Sequence, residues 1–113
     1  MKIKNIENSE HYIWGNNCDG WHLLKTNSLS IIQEKMPSQT DESLHFHNKA
    51  QQFFYILKGT ATFEVNDEMF EVQENNGFHI QPNEKHRIFN KTEKDLEFLV
   101  ISEPKSHGDR INL

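Results

Sequence analysis

The chain lacks the materials of several protein classes. Cys18 is the only cysteine, so no disulfide can close within the chain, and a reducing, cytoplasmic setting is expected. Basic residues are in deficit, with 12 lysines and arginines against 17 aspartates and glutamates and a formal charge of -5. The cations stand singly, at Lys35, Lys49, Lys58, Lys85, Arg87, Lys91 and Lys94, so the basic stripe that nucleic acid requires is missing. Long apolar runs are absent too. Met1 to Glu10 is polar with isolated isoleucines, so neither a signal peptide nor a membrane span is expected. Helical periodicity never lasts beyond two turns.

What the chain has is a succession of short strands. Turn residues recur at intervals of about eight to twelve positions, the spacing of an all-β barrel or sandwich. Trp21–Thr26 and Leu29–Met36 read as strands joined at Asn27-Ser28. Pro37 to Glu42 is a polar connection. Phe53–Leu57 is a compact apolar run, expected as a strand buried on both faces. Thr60–Val65 and Glu68–Val72 alternate about Asn66-Asp67 as a hairpin. His86–Asn90 and Leu96–Ser102 supply the last strands. The 113 residues are expected to form one domain, with an N-terminal arm over about 1–36, a barrel over about 40–102 and a polar tail over 103–113. The tail has no strand pattern and is expected to fray, the alternative being a fold over the barrel mouth or a partner subunit.

The chemistry concentrates in three histidines. His45 and His47 are two residues apart, so a strand aims both imidazoles to one side. His86 lies where a later strand could return to the same place. Three neutral imidazoles converging in a small barrel suit one divalent transition metal.

Two blocks of this sequence resemble the cupins. The first, His45-Phe-His47-Asn-Lys-Ala-Gln-Gln52 followed after six residues by Gly59, matches the family pattern with Gln52 in the place of glutamate. The second, Gly77-Phe-His-Ile-Gln-Pro82-Asn-Glu-Lys-His86-Arg-Ile-Phe-Asn90, keeps the glycine, proline, histidine and asparagine. It is two residues shorter than the family block and lacks its second glycine. The resemblance implies an antiparallel jelly-roll barrel, or double-stranded β-helix. It also implies one divalent ion per subunit, Fe, Mn, Ni, Zn or Cu, held by His45, His47, His86 and Gln52.

Gln52 is the informative departure. A neutral amide oxygen is a weaker donor than a carboxylate, so the ion keeps its full charge, binds less tightly and polarises oxygen more strongly. It also leaves the site without a carboxylate base. Gln51 is the rival; alternation puts Phe54 and Ile56 inward with Gln52, or Phe53 and Tyr55 inward with Gln51. Phe46 is expected to face outward. His79 is poised between site and surface, and His11, His22 and His107 have no spacing that ties them to the site. Cys18 is expected to be an inert thiol.

For function, the resemblance implies a metal-dependent enzyme on a small, possibly anionic organic substrate: a dioxygenase, isomerase, cyclase or lyase. One alternative is a non-catalytic module that binds or senses a small ligand. Another is a metal-independent sugar epimerase, in which Tyr55 or Tyr12 would supply the acid. A homodimer is expected, because open sheet edges need cover and the segment from Tyr12 to Met36 carries Trp14 and Trp21.

Overall fold

The computed structural model describes residues 2–113. It is all-β, with strands β1 (Glu10–Trp14), β2 (Cys18–Lys25), β3 (Ser30–Met36), β4 (Thr40–Asp41), β5 (His45–His47) and β6 (Gln51–Lys58) in the first half. β7 (Ala61–Val65), β8 (Glu68–Val72), β9 (Gly77–Ile80), β10 (His86–Asn90), β11 (Leu96–Glu103) and β12 (Arg110–Asn112) follow. They form two antiparallel sheets, ordered β1-β2-β3-β11-β6-β9 and β12-β5-β10-β7-β8, with β4 on the side of β10. The sheets face each other as a jelly-roll barrel.

Period-two alternation builds the interior. Ile32 and Met36 of β3, Phe54 and Ile56 of β6, and Phe98 and Val100 of β11 all point inward and are buried. Phe54 meets Phe63 edge-on at 5.0 Å between ring centroids, and Phe63 stacks on Phe78 at 4.4 Å. This packed half leaves the other half of the barrel free to be polar.

Turn chemistry sets the registers. Asn66 and Asp67 take φ of 48° and 71°, the paired left-handed angles of a tight hairpin, as their sequence suggests. Gly59 has φ of 89°, and a Cβ there would lie 2.9 Å from the Asp95 carbonyl oxygen, so only glycine lets β6 turn away so close to the start of β11. In the shortened second block Asn83 takes φ of 70° and its amide donates to the His47 carbonyl at 2.7 Å. That bond ties the turn before β10 to the end of β5.

Two expectations need correction, and one strand is added. The run Phe53–Leu57 is not buried on both faces, since Phe53 and Leu57 are 41% and 39% exposed. A layer lies against the inner face of β6 only. β1 has no strong strand pattern in the sequence; it pairs with β2 from Glu10↔His22 to Trp14↔Cys18. The tail is not frayed. β12 pairs with β5 in the register Arg110↔His47, Ile111↔Phe46 and Asn112↔His45. The Asp109 carboxylate accepts from the amides of Lys49 and Ala50 at 2.9 Å each and of Asn48 at 3.3 Å. A side-chain latch of this kind leaves no hydrophobic pattern to read.

Candidate metal centre

His45 and His47 point inward from β5, with Phe46 between them on the opposite face beside Ile111. β10 pairs with β5 through His86↔His45, which brings the third imidazole alongside. Ring centroids are 4.3 Å apart for His45–His86, 5.0 Å for His45–His47 and 5.5 Å for His47–His86. All three are buried, and one nitrogen from each lies within 4.8 Å of the others.

Second partners orient two of the rings. His45 Nδ1 and His86 Nδ1 each lie 2.8 Å from a main-chain carbonyl, of Ser43 and Glu84 respectively. A carbonyl only accepts, so both Nδ1 atoms carry the proton and both Nε2 atoms present lone pairs. Burial, and next the His86 ring, push the His45 pKa down to about 3 and that of His47 down to about 4. Burial lowers His86 as well. At neutral pH the site holds neutral imidazoles, the form that binds metal.

Gln52, not Gln51, shares this interior. It is buried and its amide nitrogen donates to the Ser102 hydroxyl at 3.1 Å, from the residue opposite it in β11. Gln51 faces out, bonded to Glu103 at 2.8 Å and to His79 at 2.9 Å, which settles His79 as a surface residue. A buried polar atom without a partner costs about 1–3 kcal/mol. Five such side-chain atoms occur among the described residues, and four are His47 Nδ1, His47 Nε2, His86 Nε2 and Gln52 Oε1. One nitrogen of the neutral His47 ring keeps its proton; the other, with His86 Nε2 and Gln52 Oε1, has a lone pair to offer a divalent ion, and the three histidines are close enough to hold it.

The cavity beside them, about 380 Å³, contains what the sequence reading missed. It is lined by Glu34 and Glu42 as well as His45, His47 and Gln52, so the expectation of no carboxylate is overturned. Glu34 points inward because it continues the alternation of Ile32 and Met36 in β3. Glu42 accepts from the Ile88 amide at 3.2 Å and lies 3.5 Å from Arg110. Burial pushes the Glu34 carboxyl up to about 8 and Glu42 up to about 7, Arg110 opposing the latter. The tail closes one wall with Ser106, His107 and Arg110. His107 also meets Tyr12 and His22, at 5.8 and 5.2 Å between centroids. Tyr55 lies on the outer face of β6, away from the cavity, so it cannot act there. Cys18 is buried in the apolar cluster.

A jelly-roll barrel with inward histidines on two neighbouring strands defines a fold class rather than one reaction. The chain belongs to the cupin domain family, whose model matches residues 32–102. It is 31% identical over 89 residues to MJ1618, an uncharacterised protein of Methanocaldococcus jannaschii, covering 78% of this chain and 71% of the relative. It resembles in fold a predicted oxalate decarboxylase from Thermotoga maritima, with a TM-score of 0.83, 21% identity and coverage of 91% and 99% of the two chains. The polyketide cyclase RemF of Streptomyces resistomycificus superimposes with a TM-score of 0.86 at 16% identity, over 100% of this chain and 85% of the cyclase. Among the described residues no helix is long and apolar enough to cross a membrane.

Proposed function

We propose that the protein is a metal-dependent enzyme acting on a small organic substrate, with one divalent ion held by His45, His47 and His86. The Gln52 amide oxygen serves as a weak fourth donor. The observation that carries this reading is the convergence of three buried imidazoles, one nitrogen of each within 4.8 Å of the others, beside a cavity that His45, His47 and Gln52 line. A bound ion supplies Lewis-acid polarisation of a substrate oxygen. The chain supplies the rest. Phe54, Ile88 and Val100 offer an apolar wall that excludes water, while Arg110 and Ser106 offer polar contacts. Glu34 and Glu42 favour proton-transfer chemistry, as in an isomerase, cyclase or lyase, over dioxygenation. Turnover of hydroxy-carbonyl compounds by metal-loaded protein without oxygen uptake is the expected result. Stoichiometric oxygen consumption would reverse the preference.

Gln52→Glu tests the donor set. A carboxylate adjacent to the ion adds attraction worth more than ~1 kcal/mol even in a water-like dielectric, so metal affinity should rise by about tenfold or more. Affinity for anionic ligands should fall, because the ion's charge is partly neutralised. Competition against a chromogenic chelator reads the first effect. An unchanged metal affinity would mean that the side chain does not reach the ion.

The same reading includes a homodimer through the outer face of the β1-β2-β3-β11-β6-β9 sheet. Trp21, Leu99 and Tyr55 share one register row across that face, and Ile31, Ile101 and Phe53 the next. Trp14 packs against the core and donates to the Asp19 carbonyl at 3.1 Å, so it is the poorer interface candidate. Light scattering should give twice the 13.4 kDa chain mass, and Trp21→Glu or Phe53→Glu should halve it. A wild-type mass equal to one chain would rule the dimer out.

A further inference from the structure

Glu34 is a half-buried carboxyl for which metal binding alone has no use. It lines the cavity with the histidines, and among the described residues no lysine or arginine forms an ion pair with it. A carboxyl in that position is costly to keep, and such groups concentrate where they do chemistry.

The fold contains a device that holds it. The Tyr12 hydroxyl donates to Glu34 Oε2 at 2.9 Å. Tyr12 of β1 pairs with Gly20 of β2, and Gly20 pairs with Glu34 of β3, so the phenol must cross the middle strand to reach the acid. Gly20 leaves the crossing open, since a Cβ on it would lie 2.4 Å from the Tyr12 ring. Glu34 Oε1 has no hydrogen-bond partner among the described residues and is left for a proton and a ligand.

We propose that Glu34 is the proton-transfer residue of the cavity, serving an oxygen of a small carbonyl or hydroxy compound seated at the three histidines, with Tyr12 as its positioning residue. This assignment rests on the reading of the histidines as an open metal centre. In the forward step the Glu34 O–H bond breaks, its electron pair stays on the carboxylate, and a new O–H bond forms on the ligand oxygen. The return step restores the acid. The carboxylate formed is stabilised by the Tyr12 hydroxyl and by the charge of Arg110, and opposed by the neighbouring Glu42. The remaining titratable groups lining the cavity are His45, His47 and His107, and burial lowers the pKa of all three.

Two measurements test the assignment. In metal-free protein, carbon NMR of labelled glutamate should show a carboxyl midpoint at about 8 that is absent from Glu34→Gln. Tyr12→Phe should move this midpoint upward, because the hydrogen bond it removes favours the charged form. In zinc-loaded protein, oxalate binding at about pH 9, a unit above that midpoint, should draw in close to one more proton in wild type than in Glu34→Gln. Calorimetry in buffers of different ionisation heat counts that proton. A midpoint that survives Glu34→Gln, or equal proton uptake by the two proteins, overturns the role of Glu34 and leaves the metal centre standing. Zinc-loaded wild type that takes no oxalate overturns the open centre and this assignment together. Should Glu34→Gln fail to fold, the Tyr12→Phe shift decides alone, and an unmoved midpoint overturns the pairing.

Discussion

His47→Ala is expected to leave the protein without stoichiometric metal. His47 is the ligand with no other employment, since both of its ring nitrogens are buried and unpartnered. Its backbone is held firmly, by pairing with Arg110 and by the Asn83 amide at 2.7 Å. Loss of an outer partner of a metal ligand already costs about 10–100-fold in affinity, and loss of the ligand itself should cost more. Elemental analysis of untagged protein reads the outcome. The His45→Ala, His47→Ala, His86→Ala triple variant should be equally empty. If it retains wild-type metal, the ion sits elsewhere. Removing the imidazole also removes a desolvated polar group, so the variant should stay folded.

Asn90→Ala should unfold the protein far more readily while leaving the ligand set untouched. Asn90 is buried, and its Nδ2 donates to the Met36 carbonyl at 3.0 Å and to the Lys94 carbonyl at 2.7 Å. Its Oδ1 accepts from the Thr92 amide at 3.0 Å and the Thr92 hydroxyl at 2.7 Å. One side chain thus joins the end of β3, the end of β10 and the turn into β11. Alanine would strand the Met36 carbonyl and the Thr92 amide and leave the Lys94 carbonyl only the Thr92 hydroxyl, at a cost of about 3 kcal/mol, which lowers the melting midpoint by roughly 10 °C in a chain of this size. Asn90→Asp should be no milder, because a carboxylate cannot donate to the two carbonyls. Urea unfolding of metal-free protein measures the loss; a change below about 1 kcal/mol would mean that water replaces the amide at little cost.

The pattern His45-x-His47 was legible because a strand repeats every two residues, and that period needs no tertiary information. His86 and Asn90 were legible as members of a spaced block, although the block is two residues short. The sequence left Gln51 and Gln52 open, since either could face inward. The pairing of Gln52 with Ser102 closes that choice, and pairing register is a property of two strands, not one.

Length, composition and short-range periodicity by themselves determined an all-β chain, its hairpin at Asn66-Asp67 and three histidines suited to one ion. Tertiary structure alone decided what faces them. Glu34 sits in the polar run Gln33-Glu34-Lys35, where no spacing ties it to the histidines, and only the packing of β3 turns that position into the barrel. Tyr12 reaches it only because Gly20 provides empty space, and Asp109 folds the tail by capping three amides 59 to 61 residues away. Local sequence encodes which side of a strand a residue takes. It does not encode which strand lies opposite, and the proton chemistry of this cavity depends on that opposition.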